Sequence, residues 1–440
     1  MARKRHRRRW GRWLLLGLLL LPLIYLIVSP IVLPWLLRGD ADTLWRVIAI
    51  DEWIRQAAMV ALLAAWVFMF GAAVGSFLNV VAWRMPRGES VVSRPSHCPY
   101  CHVNIRAYDN LPVFGWLLLG GRCRACRLPI SPRYPIVEAL LGSAFLILAV
   151  AEPLRHGANL PSFQPPPRWE HGVVSLVTSP DWLLLGIYGY HCLLISLLAA
   201  FALIKYDRHR LPVKLLVAAL LLGFVFPAVW PGLHPLHWET PLAPGLQRID
   251  TSLIGLLIAG FWGQMLSWGL LGRFDDDDPR RRSWSSTAPG LALVGLFLGW
   301  QSGASVLLLA AMMALIAAAA SHAWAWLAKA PLCGWIGLAT LVHLACWRQL
   351  ETSDWWPGDS WPMWRTFLAV VVGVAAVALA ARIGRRPEFS NYNVDRPSDA
   401  TPQAAEPIEP IAGEAEPSVS PPLQSTPPEF PPPANEGPSS

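Results

Sequence analysis

The chain has 440 residues, 54% hydrophobic, 11% aromatic and only 15% charged, with a formal charge of +7. That balance excludes a single soluble domain of this length and calls for a chain that spends most of its residues in a bilayer. The positive charge lies beside apolar runs and gives no ground for a nucleic-acid partner.

A basic run, Arg3–Arg9, stands directly before the apolar stretch Trp10–Leu37. It reads as an orientation signal that holds the amino terminus in the cytoplasm, in preference to an anionic-lipid site. The apolar run is too long for a cleaved signal peptide, and no small-x-small site follows it. Ala57–Val81 brings the chain back, and the loop after it carries Arg84, Arg87, Arg94, Arg106, Arg122, Arg124, Arg127 and Arg133, a basic excess that marks it as cytoplasmic. Further spans are expected at Pro135–Ala151, Trp182–Ile204, Leu215–Trp230, Ser252–Leu271, Pro289–Trp300, Ala304–Leu327, Cys333–Trp347 and Phe367–Ala381. Pro289–Trp300 is short for a crossing and reads as tilted or re-entrant. The expectation is therefore an all-α polytopic membrane protein of about ten transmembrane helices, with both termini cytoplasmic. Trp230, Trp238, Trp355, Trp356, Trp361 and Trp364 fall in the expected outer loops, as an interfacial belt would. From Arg385 to Ser440 the chain is dominated by Pro, Glu, Ala and Ser and reads as a disordered tail, with a Pro-rich ligand for a partner domain as the sharper alternative.

The most informative stretch is Gly75–Glu138. Cys98 and Cys101 form one CxxC pair, Cys123 and Cys126 a second, with 21 residues between them. Two such pairs on a hairpin supply four thiolates to one tetrahedral Zn²⁺ and leave no open position, so the expected metal is structural. Disulfides are the competing reading, and a cytoplasmic loop argues against them. Cys192, Cys333 and Cys346 lie in apolar runs and read as packing residues. His191, inside a span, reads as a core hydrogen-bond donor.

GSFLNVVAWRMP, CPYC, DNLPVFGWLLLGGRCRAC and PISPRYPIVE in this stretch resemble the amino-terminal half of the prepilin leader peptidases, the prepilin leader peptidase/N-methyltransferase family. The resemblance implies a bacterial inner-membrane enzyme of the type IV pilus and type II secretion kind, which cleaves the leader from prepilins and methylates the new amino terminus. It implies S-adenosylmethionine as a cofactor, a prepilin-like substrate or pseudopilin as partner, and a methylation role for Gly121, the glycine two residues before the third cysteine. Asp109 stands where the family usually has glutamate, and Arg133 and Glu138 match family positions. Their simplest role is an ion pair that joins the loop to the next span. Residues 57–151 make up the family's amino-terminal region, with the cysteine domain at 84–134. Residues 182–347 form a diverged peptidase-like domain, and 1–56, 366–384 and 385–440 are additions.

The family's peptidase needs two carboxylates, one ionised to take a proton from water and one protonated to polarise the carbonyl. They lie in D-x-x-x-x-x-L-P-D and G-x-G-D patterns. Here Leu211-Pro212 anchors the first, and it places Lys205 at the catalytic position, with Asp207 at an accessory one. In the second, Thr287 takes the aspartate's place and Pro289 that of a nearby lysine. A later P-F-G-P-x-L motif survives only as Pro331-Leu332-Cys333-Gly334. Three readings follow. The chain is a non-proteolytic homologue. Alternatively it is an active aspartic peptidase with displaced acids, pairing Asp207 with one of Asp275, Asp276, Asp277 and Asp278, a run that otherwise reads as a loop neutralised by Arg280–Arg282. Or it is a non-enzymatic scaffold whose zinc loop and tail recruit partners.

Overall fold

The computed structural model describes residues 24–29, 32, 41–92, 95–161, 163, 176, 179–230, 232–234, 247–271, 287–358 and 361–384. All fall in one compact unit, Met1–Phe389. Among them the chain is helical, and its only β contacts are two isolated bridges in the cysteine loop. The helices are α1 (Ala41–Arg84), α2 (Phe114–Leu119), α3 (Arg133–Ala151), α4 (Trp182–Tyr206), α5 (Val213–Val229), α6 (Gln247–Leu271), α7 (Ala288–Leu298), α8 (Trp300–Ala320), α9 (Leu332–Ala345), α10 (Trp347–Glu351) and α11 (Met363–Ile383). Six of them, α1, α3, α4, α6, α8 and α11, are long and apolar enough to cross a membrane, while α5, α7 and α9 are shorter apolar helices. Each of the nine spans expected after residue 56 therefore has a helix. The first, Trp10–Leu37, falls largely outside the described residues, as do the Pro-rich tail and the aspartate run.

Several boundaries differ from expectation for local reasons. No proline interrupts residues 41–84, so α1 starts at Ala41 instead of Ala57 and runs 44 residues, about 66 Å at the usual rise. Pro86 and the left-handed Gly88 then end it. The short apolar run at 289–300 becomes α7, only 11 residues long and almost wholly buried. Gly299, at φ +88 and ψ 165, breaks the chain there and lets α8 start in a new direction. At the far end of α8, the Ser321 hydroxyl bonds back to the Ala318 carbonyl and the helix stops at Ala320, short of Leu327. Cys346, at the end of α9, is exposed and not a packing residue. Trp356 is buried, its indole donating to Ser305 Oγ at 2.7 Å, whereas Trp230, Trp355 and Trp364 are exposed as a belt requires.

Two helix pairs cross at glycines. Gly71 and Gly75 on α1 face α3, where an added Cβ would come within 2.8 Å of the Leu141 carbonyl and 2.9 Å of Glu138 Cα. Gly263 on α6 meets Ala288 of α7 in the same way, at 2.6 Å. In lipid there is no hydrophobic drive between helices, so such close backbone approach is what holds the pairs. Phe201, Phe297, Leu148, Leu198 and Ile204 fill the centre between α3, α4 and α7.

Candidate functional site

The cysteine loop joins α1 to α3 and folds as two matching knuckles. In the first, Cys98 N–H donates to Val103 O and His102 N–H to Cys98 O; in the second, Cys123 N–H donates to Leu128 O and Arg127 N–H to Cys123 O. The residue four beyond each leading cysteine takes a positive φ, +54 at His102 and +65 at Arg127, which closes the turn. The knuckles bring Cys98 and Cys126 sulfurs to 3.8 Å and Cys101 and Cys123 sulfurs to 4.0 Å, with all four within 4.8 Å of one another. A disulfide would need about 2.05 Å. Four ligands at about 2.3 Å from a tetrahedral zinc have sulfur edges of about 3.8 Å. The cluster therefore fits a metal ion and does not fit a pair of disulfides.

The charges agree. Hydrogen bonding from the Cys126 backbone holds the Cys123 thiol down to about 7. At Cys126 the Leu128 backbone also lowers the value, but burial and the sulfurs of Cys123, Cys101 and Cys98 outweigh it and push the thiol up to about 11. Sulfurs this close resist joint ionisation, and a divalent cation at their centre lets all four become thiolates.

Around the cluster, Arg124 in the second knuckle grips Asp109 with two bonds of 2.6 and 2.5 Å. Gly121 sits at φ +67 with the Trp116 ring beneath it; a Cβ there would lie 2.8 Å from the ring. Its carbonyl accepts from Ile130 N–H at 2.7 Å, and the Trp116 indole donates to Ile130 O at 3.0 Å. Gly121 is thus required by the loop's own fold. Glu138, buried on α3, accepts from the Val113 backbone N–H at 2.6 Å and fixes the entry to α2.

Arg133 does not pair with Glu138. It reaches across to α4 and holds Asp207 through two bonds of 2.5 and 2.9 Å, its guanidinium 5.3 Å from the Tyr206 ring. This pair joins the start of α3 to the end of α4, so it ties the cysteine loop to the helix whose last turn carries Lys205. Sequence reasoning missed it because Arg133 and Asp207 are 74 residues apart; the only signal was that each lies where an apolar run meets water.

At the positions that the sequence pattern assigns to the dyad, Lys205 in the last turn of α4 is 5% exposed and interacts electrostatically with Cys333 of α9. A Cβ on Gly290, in the first turn of α7, would stand 3.7 Å from the Cys333 sulfur. The last turn of α4 and the first turn of α7 therefore border the same buried sulfur. Thr287, preceding α7, is fully buried. Its hydroxyl donates to Gly263 O at 3.2 Å and lies 3.1 Å from Ser267 Oγ. Among the described residues no carboxylate stands at either position; Asp275–Asp278 lie outside them.

Residues 69–151 match the Bacterial Peptidase A24 N-terminal domain. The chain is 30% identical over 271 residues to the prepilin leader peptidase/N-methyltransferase of Aeromonas hydrophila, covering 56% of this chain and 77% of that protein. It is 30% identical over 251 residues to the protein of that name from Myxococcus xanthus, covering 57% of this chain but 61% of the relative. It is 44% identical over 101 residues to the type 4 prepilin-like proteins leader peptide-processing enzyme of Escherichia coli, of which it spans 38%. No solved structure matches. A helical membrane bundle with a four-cysteine loop and this similarity has one assignment: the chain belongs to the prepilin leader peptidase/N-methyltransferase family.

Proposed function

We propose that this chain is a non-proteolytic member of its family, which binds a prepilin or pseudopilin and keeps its cysteine loop folded around one structural zinc ion. One observation carries the loss of proteolysis. The helix ends that should present two carboxylates present a buried Lys205 and a buried Thr287 whose hydroxyl is spent on the Gly263 carbonyl. A threonine cannot act as the ionised base, and a lysine at the other position would draw any approaching carboxylate into an ion pair. Asp207 is a poor substitute, because both its oxygens are held by Arg133.

Cys98, Cys101, Cys123 and Cys126 would hold the zinc, which contributes folding energy and takes no part in a reaction. The loop around Gly121 is the place where methyl transfer would persist, with S-adenosylmethionine supplying the methyl group. Such a transfer needs a free amino terminus, so an active peptidase elsewhere would have to release it first. The arginines of the loop support a bacterial inner-membrane placement with loop and termini cytoplasmic. Residues 57–151 would then be the retained domain, 182–347 the diverged one, and 1–56, 366–384 and 385–440 additions, the last a site for a Pro-rich-tail partner.

The test is incubation of purified protein with a tagged prepilin, followed by mass analysis of the product's amino terminus. The leader should remain intact. Cleavage by wild type that stops in Asp207→Asn, or when Asp275–Asp278 all become Asn, would establish displaced acids and overturn the reading. Supplying pre-cleaved pilin and labelled S-adenosylmethionine tests methyl transfer separately.

A further inference from the structure

At the end of the bundle opposite the cysteine loop, a second polar group of side chains is closed inside the protein. Glu152 follows the last turn of α3, His191 lies on α4, His343 on α9, and Trp347 opens α10. Their exposures are 0%, 0%, 2% and 0%. His191 Nδ1 is 2.8 Å from Glu152 Oε1, and His343 Nδ1 is 3.0 Å from Ser305 Oγ on α8. The Trp347 ring contacts both imidazoles, at 5.9 Å from His191 and 5.1 Å from His343.

Each of the four side chains keeps one polar atom with no hydrogen-bond partner among the described residues: Glu152 Oε2, His191 Nε2, His343 Nε2 and Trp347 Nε1. Leaving even one such buried atom unpaired forfeits its hydration with no return, so an indole nitrogen and three neighbouring orphans point to something they bind. The segment after Glu152 closes over them. Arg348 donates from its backbone to Asn159 O at 3.0 Å and from its side chain to the carbonyls of Leu160 and Phe163, and the Asn159 amide donates to Leu344 O.

Trp347 Nε1–H can only donate and Glu152 Oε2 can accept, while each imidazole Nε2 donates or accepts according to its tautomer. The group thus combines a donor with an acceptor and two imidazole nitrogens that can serve as either. Among the described residues the four cysteines are the only group with metal-holding geometry, so this group does not read as a metal site. A small ligand that both donates and accepts is water, which needs two to four polar partners.

We propose that Glu152, His191, Trp347 and His343 enclose bound water, and that this water joins α3, α4, α9 and α10 into one hydrogen-bonded unit running from Glu152 to Ser305. The other titratable groups near it are Tyr188 and Cys192 of α4, which interact with Glu152, and Arg348, whose guanidinium is already committed to backbone carbonyls.

The test is solid-state NMR on the full chain in lipid, with ¹⁵N in the tryptophan indoles and the imidazoles, recording magnetisation transfer from water. Trp347 Nε1 is identified by the signal lost in Trp347→Phe. It should receive magnetisation from water despite full burial, and its shift should move in His191→Asn, a residue to which it makes no direct bond. A Trp347 signal that is dry and indifferent to His191→Asn would overturn the proposal. A second measurement keeps the test open should Trp347→Phe not accumulate. Glu152→Gln and His343→Gln, singly and together, should lower Tm by amounts that depart from additivity by more than roughly 2 °C, since shared water couples them. Additive losses would overturn the proposal equally.

Discussion

In the cysteine loop every side chain that the knuckles need is in place: four sulfurs at tetrahedral spacing, two turn residues at positive φ, the Asp109–Arg124 clasp and a glycine over Trp116. Around Lys205 and Thr287 the helix ends are in place, and among the described residues neither position carries a carboxylate. The two regions are tied together by Arg133 and Asp207, so distance does not explain the difference. What differs is what each set of residues does for the fold. The cysteines, whose sulfurs fit one metal ion, and Gly121, which lies over Trp116, serve the shape of their own loop. A pair of buried carboxylates works against the fold, because each must be desolvated beside the other, and replacing them relieves that cost. On the proposed reading, in which cleavage is no longer selected, stability would retain the first set and leave the second free to go.

Four changes break or sharpen this contrast, taken from the largest effect downwards. Cys98→Ser or Cys123→Ser should abolish metal binding and unfold the loop, since structural zinc supplies on the order of 10 kcal/mol in small domains. Metal analysis and limited proteolysis between Arg84 and Arg133 read the result, and wild type should carry one zinc per chain. Retention of the ion by either variant would remove the basis for a four-sulfur site.

Gly121→Ala should cost about 2–3 kcal/mol, from a positive φ and a methyl group pressed on Trp116. If Gly121 served only methyl transfer, the variant would keep wild-type stability and lose methylation alone; denaturant unfolding of the loop distinguishes the two.

Thr287→Asp should destabilise the membrane domain by about 1–3 kcal/mol, because it buries a carboxyl beside the Gly263 carbonyl. Adding Lys205→Asp to it then asks about architecture. Recovered prepilin cleavage would mean that only the acids had gone, whereas inactivity would mean that the packing around Lys205 and Thr287 no longer holds the two positions within reach.

The smallest effect concerns pH. His209, on the turn after α4, has its pKa lowered by burial first and by Arg87 second, while Asp207 opposes the shift. The fold thus favours neutral His209, and the unfolded chain binds more protons near pH 6, so stability falls as pH drops through the ordinary histidine value of about 6.5. His209→Gln should flatten that part of the stability profile; an unchanged slope would assign it to another group.

The sequence announces helices and knuckles well because both are local. An apolar run of span length and a CxxC pair each fix their structure within a few residues, and nine expected spans found helices. Side-chain partnerships were the illegible part. Arg133 with Asp207, Glu138 with Val113 N–H, and Glu152 with His191 join positions 25 to 74 residues apart, and no periodicity encodes them. His191 looked like a core donor, yet its meaning depends on Glu152, an acid placed just past the end of an apolar run. The break at Gly299 was visible only as an apolar run too short for a crossing.

The length of α1 has a mechanical consequence. One unbroken helix of 44 residues reaches well past the roughly 30 Å of hydrocarbon that a bilayer offers. Its Arg84 end is clamped by the loop, where Arg84 bonds the carbonyls of Ser90 and Pro95. The helix therefore acts as a ruler: its Ala41 end lies about 66 Å along the axis from Arg84, where the cysteine loop begins.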